Sequence, residues 1–326
     1  RQVLDARRAT AVELGLSPEP IESIYRQIML SSRDYQASLG AAKYEEVEQK
    51  RVAIIGGAGE MGGVLARMFG DLGHQVDIAD VSTSLTPEQA AATADVVVIS
   101  VPIRATEAVV KKLGPLVRKD ALLMDVTSVK AAPLATMLAS TQASVVGTHP
   151  MFGPGVHSLQ GQRVVVCAGR GDAWHAWLLE NLQARGLVVT EATADEHDRA
   201  MALVQVLTHF QTQVLGLALA RAGMPLAASR RFTSPAYLME LYVAARHFGQ
   251  QSSLYGPIEM LNPQTSHVVG TFQNAARELG EILAAKDQAR FDAVFREVRA
   301  FFGDFTVEAT EQSSFLIDRL VERSMG

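Results

Sequence analysis

Residues 52–63 read VAIIGGAGEMGG, a short apolar run followed at once by a cluster of glycines. Gly57, Gly59 and Gly62 have the G-x-G-x-x-G spacing of a turn that joins a buried strand to a helix. In such a turn the first glycine permits a tight bend, the second lets backbone amides approach a pyrophosphate, and the third lets helix and strand pack closely. The segment therefore predicts a dinucleotide-binding βα unit. Its predicted cofactor contacts are Gly57, Ala58, Gly59, Glu60, Met61 and Gly62.

An acidic residue, Asp80, ends the next apolar run, roughly twenty residues after the glycines. A carboxylate at that place accepts hydrogen bonds from the ribose hydroxyls of the adenosine half of the cofactor. It would repel a 2′-phosphate, and no arginine stands close behind it in the sequence. The expected cofactor is therefore NAD rather than NADP.

Apolar runs of strand length alternate with helical patterns through the middle of the chain. Runs rich in Val and Ile, without polar alternation, are typical of strands that are covered on both faces. Between two of them, Thr86, Pro87 and Gln89 have the pattern of a capped helix start. The fold class predicted is α/β, with a Rossmann-type doubly wound parallel sheet. The predicted strands are 51–55, 75–79, 95–101, 121–126, 143–146, 163–168 and 187–189.

The last third of the chain has helical patterns only, which predict an all-helical C-terminal domain. Two further helices are predicted before the sheet, at 3–13 and 20–38, followed by a polar linker. We therefore expect an N-terminal helical remnant with its linker at 1–46, an NAD-binding domain at 47–192 and a helical domain at 193–326. The predicted helices of that last domain are 196–222, 235–250, 266–285 and 288–302.

Composition excludes several classes of protein. The 326 residues carry a formal net charge of -5 with both signs mixed, whereas nucleic-acid binders usually show a basic face. Cys167 is the single cysteine, so no disulfide can form within the chain. The uninterrupted apolar runs are far shorter than the roughly 20 residues of a membrane helix. We expect a soluble, cytoplasmic protein that binds small molecules, with no nucleic-acid or membrane partner.

Other predicted strands end at the same edge of the sheet as the glycine turn, where ligands of open α/β sheets bind. Ser100, Val101 and Pro102 end one of them and are predicted to contact the nicotinamide half of the cofactor. His149 ends another, in a loop with flanking Gly and Pro residues. Because neutral imidazole can accept a hydroxyl proton during hydride removal, His149 is the predicted catalytic residue.

These motifs together resemble the prephenate dehydrogenase family, and within it the bifunctional chorismate mutase/prephenate dehydrogenases. The resemblance extends over essentially the whole chain. The segments that carry it are GGAGEMG at 56–62, SVPI at 100–103, SVK at 128–130, HPMFGP at 149–154, EHD at 196–198 and the helix around Arg246.

The resemblance implies a reaction. NAD would take hydride from the ring carbon that bears the 4-hydroxyl of prephenate while the ring carboxylate leaves as carbon dioxide. The products would be NADH and 4-hydroxyphenylpyruvate, a precursor in tyrosine biosynthesis. By resemblance, His149 hydrogen-bonds the 4-hydroxyl and Ser128 supports that contact.

Further substrate contacts follow from the same resemblance. Arg246 is expected to bind a substrate carboxylate, a task that suits its two-pronged guanidinium. His209, together with Gln205 on the same helix face and Lys130 beside Ser128, is assigned to the substrate pocket. His149 and Arg246 must then converge near the nicotinamide ring.

Apart from the resemblance, His197 and Asp198 can be interpreted in two ways. They could be polar groups that form local hydrogen bonds on a helix, or they could be ligands of a metal ion. A metal site needs further His, Cys, Asp or Glu at matching spacings, and the sequence offers no such set. No metal is predicted.

The N-terminal helices resemble the last part of a chorismate mutase domain, with Ser32 and Gln36 at positions that contact its bound dicarboxylate. The long first helix of that domain, with its basic residues, does not precede Arg1 in this sequence. We therefore expect no mutase activity from this chain alone.

The residues leave two alternatives open, arogenate as substrate and a non-catalytic regulator, and argue against a third, a β-hydroxyacid dehydrogenase. Arogenate, which has an amine in place of the side-chain keto group of prephenate, fits the same residues. A β-hydroxyacid dehydrogenase would need a lysine in the helical half, and none stands between Lys130 and Lys286. A non-catalytic NAD-binding regulator would leave His149 and Arg246 without a role.

Apolar residues near the C-terminus exceed what a small helical domain needs for its own core, and they predict a homodimer. The resemblance implies the same association and also implies feedback inhibition by tyrosine. The residues concerned are Phe301, Phe302, Phe305, Phe315 and Leu316.

Overall fold

A computed structural model describes residues 2–41 and 48–324. The chain forms two compact units that divide between Asp198 and Arg199. The predicted domain boundaries after residues 46 and 192 stay predictions.

Seven strands form one sheet in the order β2-β1-β3-β4-β5-β6-β7. All neighbouring pairs are parallel except β5 and β6. Parallel strands need crossover connections, and helices supply them here. The strands are β1 (Arg51–Ile55), β2 (Gln75–Ala79), β3 (Val96–Ile99), β4 (Leu122–Asp125), β5 (Ser144–Pro150), β6 (Arg163–Arg170) and β7 (Val188–Glu191).

Helices cover both faces of this sheet, as predicted for a doubly wound fold. Along β1, Ala53 and Ile55 pack into one apolar cluster and Val52 and Ile54 into the other, because successive side chains of a strand point to opposite faces. The first cluster includes residues of α4 (Pro87–Thr93), α5 (Ile103–Leu113) and α6 (Ala131–Ser140), and the second includes residues of α3 (Glu60–Asp71) and α7 (Asp172–Ala184). A capping box at Thr86 starts α4. The predicted fold class is confirmed.

Strand β6 departs from the predicted all-parallel arrangement. Residues 151–162 connect β5 to β6 without a helix. The chain therefore returns along its neighbour, and β6 runs antiparallel to β5, with His149 opposite Val165.

Two helices precede the sheet, α1 (Gln2–Glu13) and α2 (Pro18–Ala41). They form a hairpin in which the Arg8 guanidinium donates to Glu22 at 2.6 Å. Of the two predicted remnant contacts, Ser32 lies on α2 and is exposed. The side chain of Gln36 lies outside the described residues.

Helix α8 (Ala194–Met201) carries the chain past the division between the units, and the described residues of the second unit form helices and no strands. A π-helical turn at Ala202–Leu207 interrupts the predicted helix 196–222. A small core forms where Ala202 and Val206 meet Val268. The remaining helices are α9 (Thr208–Arg221), α10 (Leu226–Arg230), α11 (Pro235–Phe248), α12 (Ser252–Leu261), α13 (Thr265–Ala285), α14 (Gln288–Phe302) and α15 (Phe305–Ser324).

One helical stretch within the described residues, Ala194–Arg221, is long and apolar enough to cross a membrane by length and composition alone. A single such helix is weak evidence, since core helices pass the same test. This stretch carries His197 and Asp198, which are buried and form hydrogen bonds with His149 and Lys130.

The fully buried Leu178 on α7 allows a test of the second apolar cluster. Leu178→Ala removes buried methyl groups and leaves a cavity, so we expect the free energy of unfolding to fall by about 2–5 kcal/mol. Both tryptophans of the chain, Trp174 and Trp177, lie on α7, and their fluorescence during urea unfolding reports on this unit. Glu180→Ala on the exposed face of α7 is the matched control, with an expected change within about 0.5 kcal/mol. Equal effects of the two substitutions would contradict the packing described here.

Candidate active site

The parallel register aligns the ends of four strands in one row. Ile55 of β1 lies opposite Ile99 of β3, Ile99 opposite Asp125 of β4, and Asp125 opposite Gly147 of β5. The segments that follow these residues therefore emerge side by side at the carboxyl edge of the sheet. They are the glycine turn after β1, the turn at Ser100 after β3, the loop with Ser128 and Lys130 after β4, and His149 at the end of β5.

The glycine turn is built without room for side chains. A Cβ on Gly62 would lie 2.6 Å from the Cα of Gly57, and one on Gly57 would lie 2.8 Å from the carbonyl oxygen of Ile54. Gly59 is the N-cap of α3 and has no side chain with which to cover the first amides of the helix. Such a helix start is suited to a phosphate, because its amides and its dipole both favour negative charge.

The tight bend lies one residue earlier than the motif predicts. Gly56, not Gly57, has the left-handed backbone, with φ of 81°. A Cβ at Gly56 would also collide with the carbonyl of Ser100. The turn after β1 therefore packs directly on the turn after β3, where the Ser100 amide donates to Ile55 at 2.8 Å.

Asp80 lies at the same turn, at the end of β2. Its carboxylate accepts the backbone N–H of Ala58 at 3.2 Å and that of Val81 at 2.7 Å. Thr83 fixes the backbone of Asp80 by accepting its N–H at 2.7 Å. An acid held half-buried against the glycine turn is where the ribose of a dinucleotide would be bound.

His149 begins a chain of buried polar groups. Its Nδ1 lies 2.8 Å from Nε2 of His197, and Nδ1 of His197 lies 2.8 Å from Oδ1 of Asp198. Asp198 accepts the backbone N–H of Lys130 at 2.8 Å and of Ala131 at 3.0 Å. The first turn of α6 is thereby tied to α8 and to the end of β5.

Electrostatics keep the His149 imidazole uncharged. Burial is the largest cause, and the electrostatic effects of the neighbouring His197 and Lys130 add to it, so the pKa of His149 lies well below its usual range. A histidine with a lowered pKa stays neutral at physiological pH and has a lone pair with which to accept a proton.

Lys130 and Asp125 form an ion pair with no exposed side-chain surface. The Lys130 ammonium donates to Asp125 and to the carbonyl oxygen of Thr148 at 2.7 Å. Asp125 also accepts the backbone N–H of Thr127 at 3.0 Å. The pair links the loop after β4 to the strand that carries His149.

Ser128 occupies the same loop, between β4 and α6, and is half-buried. Asp125 and Gly147 face each other on neighbouring strands. Ser128 lies three positions after Asp125 and His149 two positions after Gly147, so both lie just beyond this pair, toward the carboxyl edge. Its predicted support of the catalytic contact stays a prediction.

The second unit has a polar aromatic cluster of its own. The His209 ring lies 4.9 Å from the ring of Tyr255 and 5.4 Å from that of His247, measured between centroids. Gln213 donates to Glu259 at 2.6 Å, and its amide lies 3.1 Å from Nε2 of His247. Burial and the neighbouring His247 lower the pKa of His209 to about 4.

Arg246 directly precedes His247 of this cluster, and Gln205 lies four positions before His209. Arg246 is exposed on α11, one position before His247, and its charge acts on Tyr255, whose pKa burial raises and the guanidinium lowers. Gln205 lies in the π-helical turn, a kind of helical irregularity that is frequent at functional sites. The predicted convergence of Arg246 with His149 stays a prediction.

Comparison with known proteins identifies the family of this chain. Residues 64–190 match the nucleotide-binding domain of prephenate dehydrogenases, and residues 193–297 match the dimerization domain of prephenate dehydrogenases. The T-protein of Haemophilus influenzae is 34% identical over 99% of this chain and 86% of its own length. The T-protein of Enterobacter agglomerans is 36% identical over 97% of this chain and 84% of its own length. The chain belongs to the prephenate dehydrogenase family.

A solved structure shares the fold. Prephenate dehydrogenase from A. aeolicus, in complex with hydroxyphenyl propionate and NAD+, superposes with a TM-score of 0.64, covers 78% of this chain and 98% of that one, and is 19% identical. Membership of the family confirms the predicted enzyme class and the nucleotide-binding domain.

The predicted contact of Lys130 with the substrate of this prephenate dehydrogenase stays a prediction. The side chain of Lys130 is wholly enclosed, and its ammonium is bound to Asp125 and Thr148. Its role in this structure is to stabilise the loop after β4 and to place a positive charge near His149.

Sequence reasoning missed several groups of the two clusters. His197 and Asp198 were recognised as a motif, but their link to His149 spans 48 positions and has no local signal. Tyr255 and Glu259 stand on α12 without any motif, and only the fold brings them to His209. Among the described residues, no group of three or more His, Cys, Asp or Glu is arranged to hold a metal ion.

The buried ion pair yields a test. Lys130→Met leaves the Asp125 carboxylate buried without its cation, so we expect the free energy of unfolding to fall by about 3–5 kcal/mol. The double variant Lys130→Met/Asp125→Asn removes both charges and keeps an oxygen to accept from Thr127, and it should lose less than the single variant. Urea unfolding followed by tryptophan fluorescence measures both. An equal or greater loss in the double variant would show that the two charges do not compensate each other.

Proposed function

We propose that this chain catalyses the NAD-dependent oxidative decarboxylation of prephenate to 4-hydroxyphenylpyruvate, with release of carbon dioxide and NADH, in tyrosine biosynthesis. The observation that carries the proposal is the buried His149, whose pKa is lowered, at the same carboxyl edge of the sheet as the glycine turn. A proton acceptor beside a dinucleotide site is what oxidation of a carbinol carbon requires.

The residues of the glycine turn fit a dinucleotide. A Cβ at Gly57 or Gly62 would collide with the turn's own backbone, Gly59 leaves the first amides of α3 uncovered, and Asp80 stands where it can accept from ribose hydroxyls. When bound, NAD supplies the acceptor for the hydride. Since the Asp80 carboxylate would repel a 2′-phosphate, it favours NAD over NADP.

His149 then acts on the substrate oxygen. As the hydride leaves the ring carbon, the 4-hydroxyl becomes acidic, and the neutral imidazole accepts its hydrogen bond and its proton. Loss of the ring carboxylate as carbon dioxide returns an electron pair to the ring, which becomes aromatic, and the oxygen recovers a proton. Ser128, in the adjoining loop, supports this contact.

Arg246 binds a carboxylate of the substrate in this proposal. Its guanidinium is exposed, it stands next to the His209 cluster, and its two-pronged geometry matches a carboxylate. His209, with a pKa of about 4, is neutral at physiological pH and can donate or accept a hydrogen bond there. Gln205 adds a polar contact from the π-helical turn.

The proposal extends to assembly and regulation. Aromatic residues of α14 and α15 are exposed in the single chain, with Phe301 at 84% and Phe305 at 54% of full exposure. Exposed apolar surface of this kind is typical of protein interfaces, and a homodimer would cover it. We include tyrosine as a feedback inhibitor and the cytoplasm as the location, in keeping with a biosynthetic enzyme.

The substrate proposal is tested by turnover of the wild-type chain with two substrates. We expect NADH formation with prephenate, at a kcat/KM above that with arogenate, and a strong preference for NAD over NADP. Prephenate and arogenate differ only in the side-chain keto or amino group, so the comparison isolates recognition of that group. A higher kcat/KM with arogenate would replace prephenate as the proposed substrate.

The role of His149 is tested by His149→Asn. An amide keeps the size and polarity of the site but is a poor base, so we expect kcat to fall by roughly 10²-fold or more. The dissociation constant of NAD, from fluorescence titration, should stay unchanged. His175→Asn on α7, where the imidazole faces Glu191 at 3.3 Å, is the matched control and should keep wild-type turnover. Wild-type kcat in His149→Asn would remove the histidine from the mechanism.

A further inference from the structure

The polar chain behind His149 consists of groups that are all shielded from solvent. His149 is 3% exposed, His197 1% and Asp198 2%. Two contacts of 2.8 Å join them in order. Buried groups at such distances must agree on which nitrogen carries each proton, because a mismatch would bring two lone pairs or two protons together.

The order of protons can be worked out from Asp198. Burial alone would raise the pKa of this carboxyl, but hydrogen bonds from His197 and from the backbone N–H groups of Ala131 and Lys130 lower it. An ionised carboxylate only accepts. Nδ1 of His197 therefore carries a proton and donates it to Oδ1 of Asp198.

The same reasoning reaches His149. With its proton donated from Nδ1 to Asp198, His197 can use the lone pair on Nε2 to accept from Nδ1 of His149. Neutral His149 with its proton on Nδ1 has its lone pair on Nε2, the ring nitrogen on the side away from His197. This is the nitrogen that a proton acceptor needs.

We infer that His197 and Asp198 are positioning residues that select the Nδ1-protonated tautomer of His149 and so present Nε2 to the substrate hydroxyl. This inference deepens the proposed function and rests on it. The arrangement resembles the logic of a serine protease triad, with a second imidazole between the acid and the reacting base.

The fold holds the far end of this chain rigidly. Asp198 accepts two consecutive backbone amides at the start of α6, so its carboxylate has a fixed orientation. His197 is held between that carboxylate and His149, and its ring meets the ring of His149 edge to face at 67°. Neither residue needs to touch substrate to control the tautomer.

The first variant is Asp198→Asn. Oδ1 of Asp198 accepts from both His197 and the Lys130 amide, and Oδ2 accepts from the Ala131 amide, so the NH₂ group of an asparagine would face a backbone N–H in either orientation. Either orientation replaces the ionised acceptor of the His197 proton with a weaker one or with a donor, so the preference of His149 for the Nδ1-protonated tautomer falls. We expect kcat to fall by about 10²–10⁴-fold, as an Asp→Asn change does in Ser-His-Asp triads by producing the wrong tautomer. The KM for prephenate and the dissociation constant of NAD should stay within about threefold of wild type.

Asp195→Asn is the matched control for this variant. Asp195 lies on the same helix, α8, and its side chain is exposed. It should keep wild-type kcat and the wild-type tautomer.

A second pair of variants separates tautomer control from packing. His197→Gln keeps an oxygen that can accept from His149 and an NH₂ group that can donate to Asp198, so the proton order is preserved. His197→Leu keeps the volume and removes both contacts. We expect kcat of His197→Gln to exceed that of His197→Leu by about tenfold or more. If Asp198→Asn fails to fold, this pair decides the question.

The direct readout is the tautomer itself, measured by ¹⁵N NMR of the histidine imidazoles at neutral pH without cofactor. Wild-type His149 should be protonated on Nδ1, and Asp198→Asn should raise the fraction of His149 that is protonated on Nε2. A wild-type enzyme that is active but protonated on Nε2 of His149, or an Asp198→Asn variant with wild-type tautomer and kcat, would overturn the inference. Failure of the proposed function would look different: wild-type chain would not reduce NAD with prephenate, whatever the tautomer.

Discussion

Coverage of the central sheet on both faces is the constraint on which the rest of this structure depends. Strands β3 and β4 are buried along their whole length, so their side chains are apolar until the last position of β4. Polar chemistry can occur only where the strands end, and parallel pairing brings those ends to one edge. The glycine turn, Ser100, Ser128 and His149 share an edge because the helices on both faces leave them no other place.

Placing ionisable groups at that edge has an electrostatic cost, and the chain offsets it with compensated pairs. Lys130 is buried against Asp125, and Asp198 is buried against two backbone amides and His197. A buried charge without a partner would be far more costly than these satisfied ones. The neutral group left among them is His149, whose pKa the surrounding desolvation and positive charge hold low. The Lys130 charge that stabilises the loop therefore also helps to keep the imidazole of the proposed catalytic residue uncharged.

The sequence predicts the sheet well, because local patterns carry most of the information about it. The apolar runs give the strands, and Thr86 with Gln89 gives a helix start that the structure forms as a capping box. The direction of β6 escapes prediction, since it depends on the absence of a helix between residues 151 and 162 and not on the composition of the strand. The position of the left-handed glycine could not be predicted for a similar reason. The motif points to Gly57, but contact with the turn at Ser100 decides that Gly56 takes the unusual backbone.

The candidate site divides between residues that a motif announces and residues that only the fold assembles. His149 and Asp80 stand at strand ends, so the sequence alone locates them. Lys130 belongs to a recognisable segment, yet only the fold shows that its side chain is buried in the interior. The contact between His149 and His197 joins a strand end to a helix across 48 positions, and no periodicity encodes it. Its consequence is nonetheless chemical, because the nitrogen that His149 presents is decided by a carboxylate that the substrate never meets. Asp198 can thus affect the reaction through His197 and the tautomer of His149, without touching the substrate. The motif that contains His149 therefore describes the proposed base incompletely.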